Sequence, residues 1–417
     1  MRTSCLGAFA GVALAGALAV PAGVAGADGA DTIQGDPWVL VDKRINLESS
    51  DAIAFSAPNE GWVVGTNFEP PSPVPFAMRW DGATWTEARI GDFVNQPQSL
   101  NRVATLAADE AWATGTLEQA RSATASPRPG SGLWYRDEKG ALPDSTPRAV
   151  AGAGPAPYAL AKWNGSEWAP EKAPAPPAGK QALVAELKTV GAEIWAVGLE
   201  HDAGQASGQQ AFIDRYQNGK WRRMVLPGDL TTKPSALFGL TGADPDDVWL
   251  SGAFPTPEKD TPFVAHWDGK KFDITELPIP LGFSNGWNAD VVAVMGDEVF
   301  VTGRSLYTDG TLATAYRFDG SAWTQWTGRA LAEVNDISVA ADGNSMMLGG
   351  WPSLTSDQSE YAAFDGTTWT RHGQPEDLGV HRGQVLNVEH LPGTDRVMAV
   401  GYVNAPDSGY SYITANK

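Results

Sequence analysis

Short apolar runs separated by turn residues fill the chain, and no stretch carries the 3.6-residue apolar period of a long amphipathic helix. Most runs are bounded by Gly, Pro, Asn or Asp, which is typical of β-strands joined by turns. The pattern therefore predicts an all-β chain.

A repeat becomes visible when two short signatures are followed along the sequence. The first is an acidic turn and an apolar strand that ends in Gly, and its clearest copy runs from Asn59 to Gly65. The seven copies of this signature end at Gly65, Gly115, Gly198, Gly252, Gly303, Gly349 and Gly401.

The second signature is an aromatic residue, a tight turn and a second aromatic residue, as in the segment from Trp80 to Trp85. Its six copies begin at Trp80, Trp163, Tyr216, Trp267, Phe318 and Phe364. The turns contain Asp-Gly or Asn-Gly, which supply the positive φ angles of a two-residue hairpin turn. We therefore expect two-residue turns here.

Each repeat holds four strands, which we name A to D in chain order. Four-stranded units repeated around a ring form a β-propeller. The sequence thus predicts one seven-bladed β-propeller over residues 28–417, with a long insertion at 117–157 in the second blade. The repeated aromatic residues are expected to pack between the blades.

Closure of the ring is also predicted. The seventh unit ends after its strand C, at about Tyr410–Thr414, and has no strand D of its own. Near the other end of the chain, Trp38–Asp42 resembles the strand D that begins at Trp221. Pairing these two segments would complete the seventh blade and remove two exposed edges.

Residues 1–27 have the features of a secretory signal peptide: Arg2, an apolar run, and the small residues Ala25-Gly26-Ala27. We therefore predict secretion and cleavage after Ala27. The single cysteine, Cys5, lies in this segment, so the mature chain would form no disulfide and would depend on a large core. No later apolar stretch is long enough to span a membrane, so no membrane insertion is predicted.

Charge and motif content limit the function. With 30 Lys and Arg against 49 Asp and Glu, the net charge is −19, which disfavours nucleic acids and anionic lipids as partners. The five His lack metal-ligand spacing, and neither a nucleophile elbow nor a phosphate-binding glycine loop is present. From these observations we predict that the chain is not an enzyme.

Recognition is expected on the face that carries the B–C and D–A connections, because these connections vary in length while the others are short and nearly constant. Three Trp outside the repeat fall in such connections: Trp134, Trp287 and Trp351, with Asn285 close to Trp287. Exposed aromatic rings stack on sugar rings, so these residues predict a carbohydrate-binding site.

Polar residues at the beginnings of the A strands form a second candidate group. They are Asp51, Asn101, Asp290, Asn335, Asp336 and Asn387. In a propeller they would surround the mouth of the central channel and could hydrogen-bond sugar hydroxyls. The alternative ligand for their oxygen atoms is Ca²⁺, and no other cofactor is predicted.

The Asp-Glu-x-Trp-x-x-Gly and Trp-Asp-Gly-x-x-Trp units behind a signal peptide resemble a group of secreted actinobacterial propellers. They are similar to the lectin subunits of Streptomyces umbrella toxin particles. That resemblance implies a non-toxic accessory subunit that binds cell-surface glycans and assembles with other secreted toxin subunits. The turns also resemble the Asp-box turns of sialidase-like propellers, but they lack the residue between Asp and Gly and the preceding Ser.

Two other functions stay open at this point. A protein–protein scaffold would bind a partner subunit and no glycan. A polysaccharide-acting enzyme would need two carboxylates at catalytic separation, and the many acidic residues allow such pairs.

Overall fold

The computed structural model describes residues 33–34, 38–45, 48–67, 73–93, 97–117, 158–202, 209–256, 260–279, 288–304, 314–327, 333–351, 360–379, 382–404 and 409–417. These residues form seven small antiparallel sheets in a ring, which confirms the predicted seven-bladed β-propeller. In each blade, strand A is innermost and strand D is outermost.

Blade 1 consists of β3 (Glu48–Ala57), β4 (Glu60–Asn67), β5 (Val74–Trp80) and β6 (Trp85–Ala88), and blade 2 of β7 (Pro97–Ala107), β8 (Glu110–Leu117), β9 (Ala159–Trp163) and β10 (Trp168–Pro170). Blade 3 consists of β11 (Lys180–Val190), β12 (Glu193–Asp202), β13 (Gln210–Gln217) and β14 (Lys220–Arg223), and blade 4 of β15 (Ala236–Asp244), β16 (Asp247–Phe254), β17 (Thr261–Trp267) and β18 (Phe272–Glu276). Blade 5 consists of β19 (Asn288–Met295), β20 (Glu298–Arg304), β21 (Thr314–Phe318) and β22 (Trp323–Thr327). Blade 6 consists of β23 (Glu333–Val339), β24 (Met346–Trp351), β25 (Glu360–Phe364) and β26 (Trp369–Gly373). Blade 7 consists of β27 (Arg382–His390), β28 (Val397–Asn404), β29 (Tyr410–Asn416) and β2 (Trp38–Ile45). Strand β1 (Ile33–Gln34), helix α1 (Gly228–Thr232) and a 3-10 helix (Glu376–Leu378) complete the described elements.

The repeated aromatic residues join neighbouring blades. Trp62 of β4 lies 4.6 Å from Trp163 and 4.9 Å from Trp168 of the next blade, measured between ring centroids. Trp112 contacts Tyr216 and Trp221 of blade 3 in the same way, at 4.6 and 5.4 Å. The B-strand ring of one blade thus packs against the C- and D-strand rings of the next, as the sequence predicts.

The acidic residue of the first signature also has a structural role. Glu60, at the start of β4, pairs with Arg79, the residue before Trp80, at 2.9 Å. The equivalent pairs in blades 2 to 5 are Glu110–Lys162, Glu193–Arg215, Asp247–His266 and Glu298–Arg317. These basic side chains also lie over the B-strand ring, for example Arg215 at 4.4 Å from the Trp195 ring centroid. The acidic signature therefore fixes the cation that covers the inter-blade ring.

The predicted two-residue C–D turns are wrong in most blades. In blade 1, Trp80 pairs directly with Trp85, so four residues form the turn. The Asp81 carboxylate accepts the backbone N–H groups of Ala83 and Thr84 at 2.9 and 2.7 Å, and these bonds lower its pKa. Because the side chain closes the turn, only Gly82 needs a positive φ.

Blade 3 is the exception among the C–D turns. There Gln217 pairs with Lys220. The two turn residues, Asn218 and Gly219, both have positive φ angles, of 53° and 75°. This is the two-residue geometry that the sequence predicts for all six turns.

The N-terminal strand closes the ring. Strand β2 pairs antiparallel with β29 from Trp38↔Asn416 to Ile45↔Tyr410, which confirms the predicted join. Trp38 is 1% exposed and stacks on Tyr361 of blade 6 with ring centroids 3.8 Å apart. The closing strand therefore completes blade 7 and also packs against blade 6.

A further contact of this segment is not predicted by the sequence. Strand β1 pairs in parallel with β26, the outermost strand of blade 6, through Ile33↔Arg371 and Gln34↔His372. The N-terminal segment thus bonds to two successive blades, which covers one more outer edge.

Two predicted segments lie outside the described residues: the signal peptide 1–27 and nearly all of the insertion 117–157, of which only residue 117 is described. In the described part of the chain, no helix is long and apolar enough to cross a membrane.

Replacing Trp38 with Ala should destabilise the fold by about 3–5 kcal/mol, because it removes a buried ring at the ring closure. Urea unfolding followed by circular dichroism measures the change. Val225, which is 94% exposed, provides the control, and Val225→Ala should change stability by less than about 0.5 kcal/mol. Equal effects of the two substitutions would contradict this account of closure.

Candidate functional site

Every innermost strand contains a β-bulge at the same level of the channel. The A–B pairing skips one residue in each of the seven blades. The bulged residues are Asp51, Asn101, Ala185, Phe238, Asp290, Asn335 and Leu386. A bulge inserts an unpaired residue and bends the strand, so these seven positions form one layer around the axis.

The bulges explain the glycine that ends the first signature. A Cβ on Gly198 would lie 1.9 Å from the carbonyl oxygen of Leu183, next to the bulge. The same clash with a strand A carbonyl, at 1.8 to 2.2 Å, occurs at Gly65, Gly115, Gly252 and Gly401. The bulge brings the backbone of strand A over strand B, and only glycine leaves room for it.

Four of the predicted channel residues are themselves bulged residues: Asp51, Asn101, Asp290 and Asn335. All four are half-buried. Asp51 accepts a hydrogen bond from the Ser49 hydroxyl, and the Asn335 amide donates to the carbonyl of Val385 in the next blade. The structure thus brings these residues to one layer, and their part in ligand binding stays a prediction.

The other two predicted residues lie one position deeper and join blades. The side-chain Oδ1 of Asn387 accepts the backbone N–H of Ile53 at 2.8 Å, across the closure between blades 7 and 1. Asp336 accepts the backbone N–H of Val388 at 3.0 Å and the Asn387 amide. In the described structure these groups satisfy the open inner edge of the adjacent blade.

Below the bulges the channel holds a cavity of about 230 Å³. Residues from all seven innermost strands line it, between the bulge layer and the A–B turns. The cavity therefore lies nearer the face with the short A–B turns, opposite the face on which the sequence predicts recognition.

Charged side chains converge on this cavity. The Lys188 ammonium lies 3.6 Å from a carboxylate oxygen of Asp336, and the side chains are 26% and 4% exposed. Arg102 lies 4.0 Å from the Glu186 carboxylate and donates to the Ala185 carbonyl at 2.6 Å. Glu389 lines the same cavity. We call Arg102, Glu186, Lys188, Asp336 and Glu389 the axial cluster.

Burial sets the protonation of the axial cluster. It raises the pKa of Glu389 to about 8, with Lys188 opposing the rise and the carboxylates of Asp336 and Glu186 adding to it. Burial likewise raises the pKa of Glu186, against the attraction of Lys188 and Arg102. For Lys188, burial lowers the pKa, but the three surrounding carboxylates outweigh it and the pKa is raised. The cluster thus holds a fixed ammonium beside a carboxyl that titrates near neutral pH.

Four residues of the axial cluster are not predicted by the sequence: Glu186, Lys188, Glu389 and Arg102. The signal was nevertheless present, because Glu186 and Lys188 flank the apolar Leu187 in an innermost strand. An innermost strand has no outer solvent face, so charged residues in it can only contact a neighbouring blade or the channel.

The predicted aromatic site is covered only in part by the described residues. Trp351 is the last residue of β24, and its backbone pairs with Glu333, where strand A of blade 6 begins. Its backbone therefore lies on the face with the B–C connections, as predicted. Trp134, Asn285 and Trp287 lie outside the described residues.

The predicted cation site at the channel mouth gains no support from clustered ligands. In the ranges that the structure describes, no group of three or more His, Cys, Asp or Glu side chains could hold a metal ion. Ca²⁺ binding at the channel mouth stays a prediction.

No protein-family model and no curated protein sequence matches the chain. Solved structures do match the chain. One is Trypanosoma rangeli sialidase in complex with the inhibitor DANA, which is 10% identical, has a TM-score of 0.44, and matches over 90% of this chain and 55% of that chain. The same sialidase with sialic acid gives 9% identity and a TM-score of 0.42, covering 91% of this chain and 54% of that one. This chain thus spans about half the length of those structures, and the likeness concerns the fold alone.

These matches correct one prediction. The expectation that the chain is not an enzyme does not stand, because the solved structures that its fold resembles are sialidases, which are enzymes. Likeness at 10% identity does not establish catalysis either. Local motifs alone do not decide the question, because an active site on a propeller can be assembled from separate blades.

Replacing Gly198 with Ala should destabilise the fold by about 1–3 kcal/mol or prevent folding, because the new Cβ meets the Leu183 carbonyl. A Cβ on Gly228 would have no other atom within 4 Å, so Gly228→Ala is the matched control and should be neutral or stabilising. Thermal melts of both variants test this. A neutral Gly198→Ala would show that the bulges do not require the glycine.

Replacing Glu389 with Gln should change how stability depends on pH. An ordinary Glu ionises near 4.5 and folded Glu389 near 8, so between these values only the folded state holds the proton. The wild type therefore loses stability as pH rises through this window, and the variant does not. The melting temperature of the variant relative to wild type should rise by about 4–5 °C from pH 5 to pH 8.5.

Glu376, an exposed residue of the 3-10 helix, provides the control for this measurement. For Glu376→Gln the melting-temperature difference from wild type should stay constant over the same pH range. A constant difference for Glu389→Gln as well would show that Glu389 ionises normally in the folded protein.

Proposed function

We propose that this propeller is a carbohydrate-binding protein that holds one sugar ring in the axial cavity. The observation that carries the proposal is the cavity itself, about 230 Å³ in volume and lined by polar groups from several blades. Sugars present hydroxyls that both donate and accept hydrogen bonds. The lining offers donors on Lys188, acceptors on Glu186 and Glu389, and the hydroxyl of Thr241, which can do both.

The neighbouring channel layers fit the same role. The bulge layer contributes Asp51, Asn101, Asp290 and Asn335 directly above the cavity. A longer glycan that leaves the cavity through this mouth reaches the face where the sequence places Trp134, Trp287 and Trp351. Aromatic rings there would stack on further sugar units.

Secretion through residues 1–27 and membership of an extracellular antibacterial toxin complex are part of this proposal. They are supported by the leader sequence and by the resemblance of the repeat units to toxin lectin subunits. Glycan binding would then bring the complex to its target cell. A pull-down from culture supernatant with the full chain as bait should recover other secreted subunits.

One observation favours a second function, hydrolysis of a glycosidic bond. The axial cluster holds a carboxyl with a pKa of about 8, Glu389, near two other carboxylates, Glu186 and Asp336. Glycosidases use a pair of carboxyl groups, one as the acid and one as the base or nucleophile, and the acid has a raised pKa. Glu389→Gln would abolish such turnover, and release of reducing sugar from a bound glycan would detect it.

A glycan array tests the carbohydrate proposal. The wild type should bind a defined set of glycans, and Ala54→Leu should abolish binding, because Ala54 lines the cavity and the larger side chain fills it. Ala88→Leu is the matched control, because Ala88 is also a half-buried alanine of blade 1 but lies on the outermost strand. Ala88→Leu should bind as the wild type does.

Absence of any glycan signal from the folded wild type would overturn the proposal and favour the scaffold function. If Ala54→Leu still binds glycans and Trp351→Ala does not, the site lies on the face with the B–C connections instead of in the axial cavity.

A further inference from the structure

Three residues beyond each bulge, the seven innermost strands contribute one further layer to the channel. It consists of Ala54, Ala104, Lys188, Thr241, Ala293, Ser338 and Glu389, all of which line the cavity. Five of the seven side chains are small, which is why the space exists. Of these seven residues, only Lys188 and Glu389 are long and charged.

Most polar groups around the cavity already have protein partners. Lys188 lies against Asp336, and both polar atoms of the Asn387 side chain are used between blades. The Ser338 hydroxyl accepts the backbone N–H of His390 at 2.9 Å. In the described part of the chain, the Glu389 carboxylate receives no hydrogen bond and has no cation within 4 Å.

When Glu389 is ionised, the charge balance around the cavity is negative. Three carboxylates, on Glu186, Asp336 and Glu389, face two cations, Lys188 and Arg102. Arg102 is turned towards the backbone, where it donates to the carbonyls of Ala185 and Asn101 at 2.6 and 2.7 Å. With Glu389 ionised, one negative charge is uncompensated, and a ligand with one positive charge would balance it.

The geometry favours an ammonium group over a metal ion. A hard cation needs several oxygen ligands that converge on one point, and no cluster of three acidic or His side chains among the described residues provides this. An ammonium group has three separate donors, so a single carboxylate and neighbouring hydroxyls can satisfy it. The Thr241 hydroxyl and the Lys188 ammonium are available for sugar hydroxyls on the rest of the ligand.

We propose that the axial cavity selects an amino sugar with a free primary amine, and that Glu389 is the carboxylate that binds its ammonium group. This inference rests on the proposed carbohydrate-binding function and names the sugar class. An acetylated amine carries no charge and would leave Glu389 unpaired, so N-acetylated sugars should bind much more weakly.

The protonation of Glu389 adds a second, independent readout. Burial and the carboxylates of Asp336 and Glu186, opposed by Lys188, hold the pKa of Glu389 near 8, so the free carboxyl is mostly protonated at pH 7. An ammonium ligand favours the ionised form. Binding at pH 7 should therefore release a proton from Glu389, which a neutral sugar would not cause.

Isothermal titration at pH 7 with glucosamine, N-acetylglucosamine and glucose tests the inference on the full chain. Glucosamine should bind at least about tenfold more tightly than the other two sugars, because a charge-assisted hydrogen bond contributes about that much to the affinity. Titrations in two buffers with different ionisation enthalpies should show proton release with glucosamine only. Glu389→Gln should lose the preference and the proton release, while Glu376→Gln should keep both.

Thermal melts establish that Glu389→Gln is folded. Equal affinities for the three sugars, or a preference that survives in Glu389→Gln, would overturn the inference while leaving carbohydrate binding intact. If glucosamine fails to bind while the glycan array shows binding of neutral glycans, the inference is again wrong and the proposed function stands. No binding in either experiment would overturn both.

Discussion

The pairing of β2 with β29 is the contact on which the rest of the propeller depends. Each blade packs aromatic residues against its neighbours, so an open ring would expose two faces and leave the axis without a closed wall. Closure joins the N-terminal strand β2 to the last strand β29, with Trp38 opposite Asn416, through main-chain bonds. The stack of Trp38 on Tyr361 extends the same segment to blade 6.

A closed ring places seven innermost strands side by side, and each has an inner edge with no strand partner. The bulges and the polar residues after them provide hydrogen-bond partners for the backbone groups at this edge. Asn387 and Asp336 bond to the backbone of the following blade, and the strand-ending glycines make room for the bulged backbone. The cavity then follows from small residues three positions further on, and its charge from Lys188 and Glu389. Fold and candidate site are therefore consequences of the same seven strands.

The sequence predicts the fold well because the signatures repeat, and each repeated residue has one structural task. Trp62 and Trp112 pack between blades as expected, and the N-terminal strand lies where the incomplete last repeat requires it. The C–D turns were mispredicted because the Asp81 side chain closes the turn by accepting two backbone N–H groups. The Asp therefore does not need the positive φ that a two-residue turn would require.

The candidate site was less predictable, because it arises from positions that do not repeat. Lys188 and Glu389 occupy equivalent levels in blades 3 and 7, where other blades have Ala, Ser or Thr. A repeat analysis treats such differences as variation, and only the ring brings them to one cavity. Asp336 and Asn387 were recognised as polar residues at the channel, but their hydrogen bonds to the next blade depend on the bulge register.

A pair of introduced cysteines tests the closed ring most directly. Val39 and Ala415 are direct partners in the β2–β29 register, so their Cα atoms should lie about 4.5–5.5 Å apart, which a disulfide can span. With Cys5 replaced by Ser, oxidation of the Val39→Cys, Ala415→Cys variant should give an intramolecular bond, detected as one tryptic peptide that joins both ends of the chain. Ser411 lies four residues, about 13 Å, from Ala415 along β29, so the Val39→Cys, Ser411→Cys variant should stay reduced. Absence of the bond in the first variant, or equal yields in both, would contradict the closed seven-bladed ring.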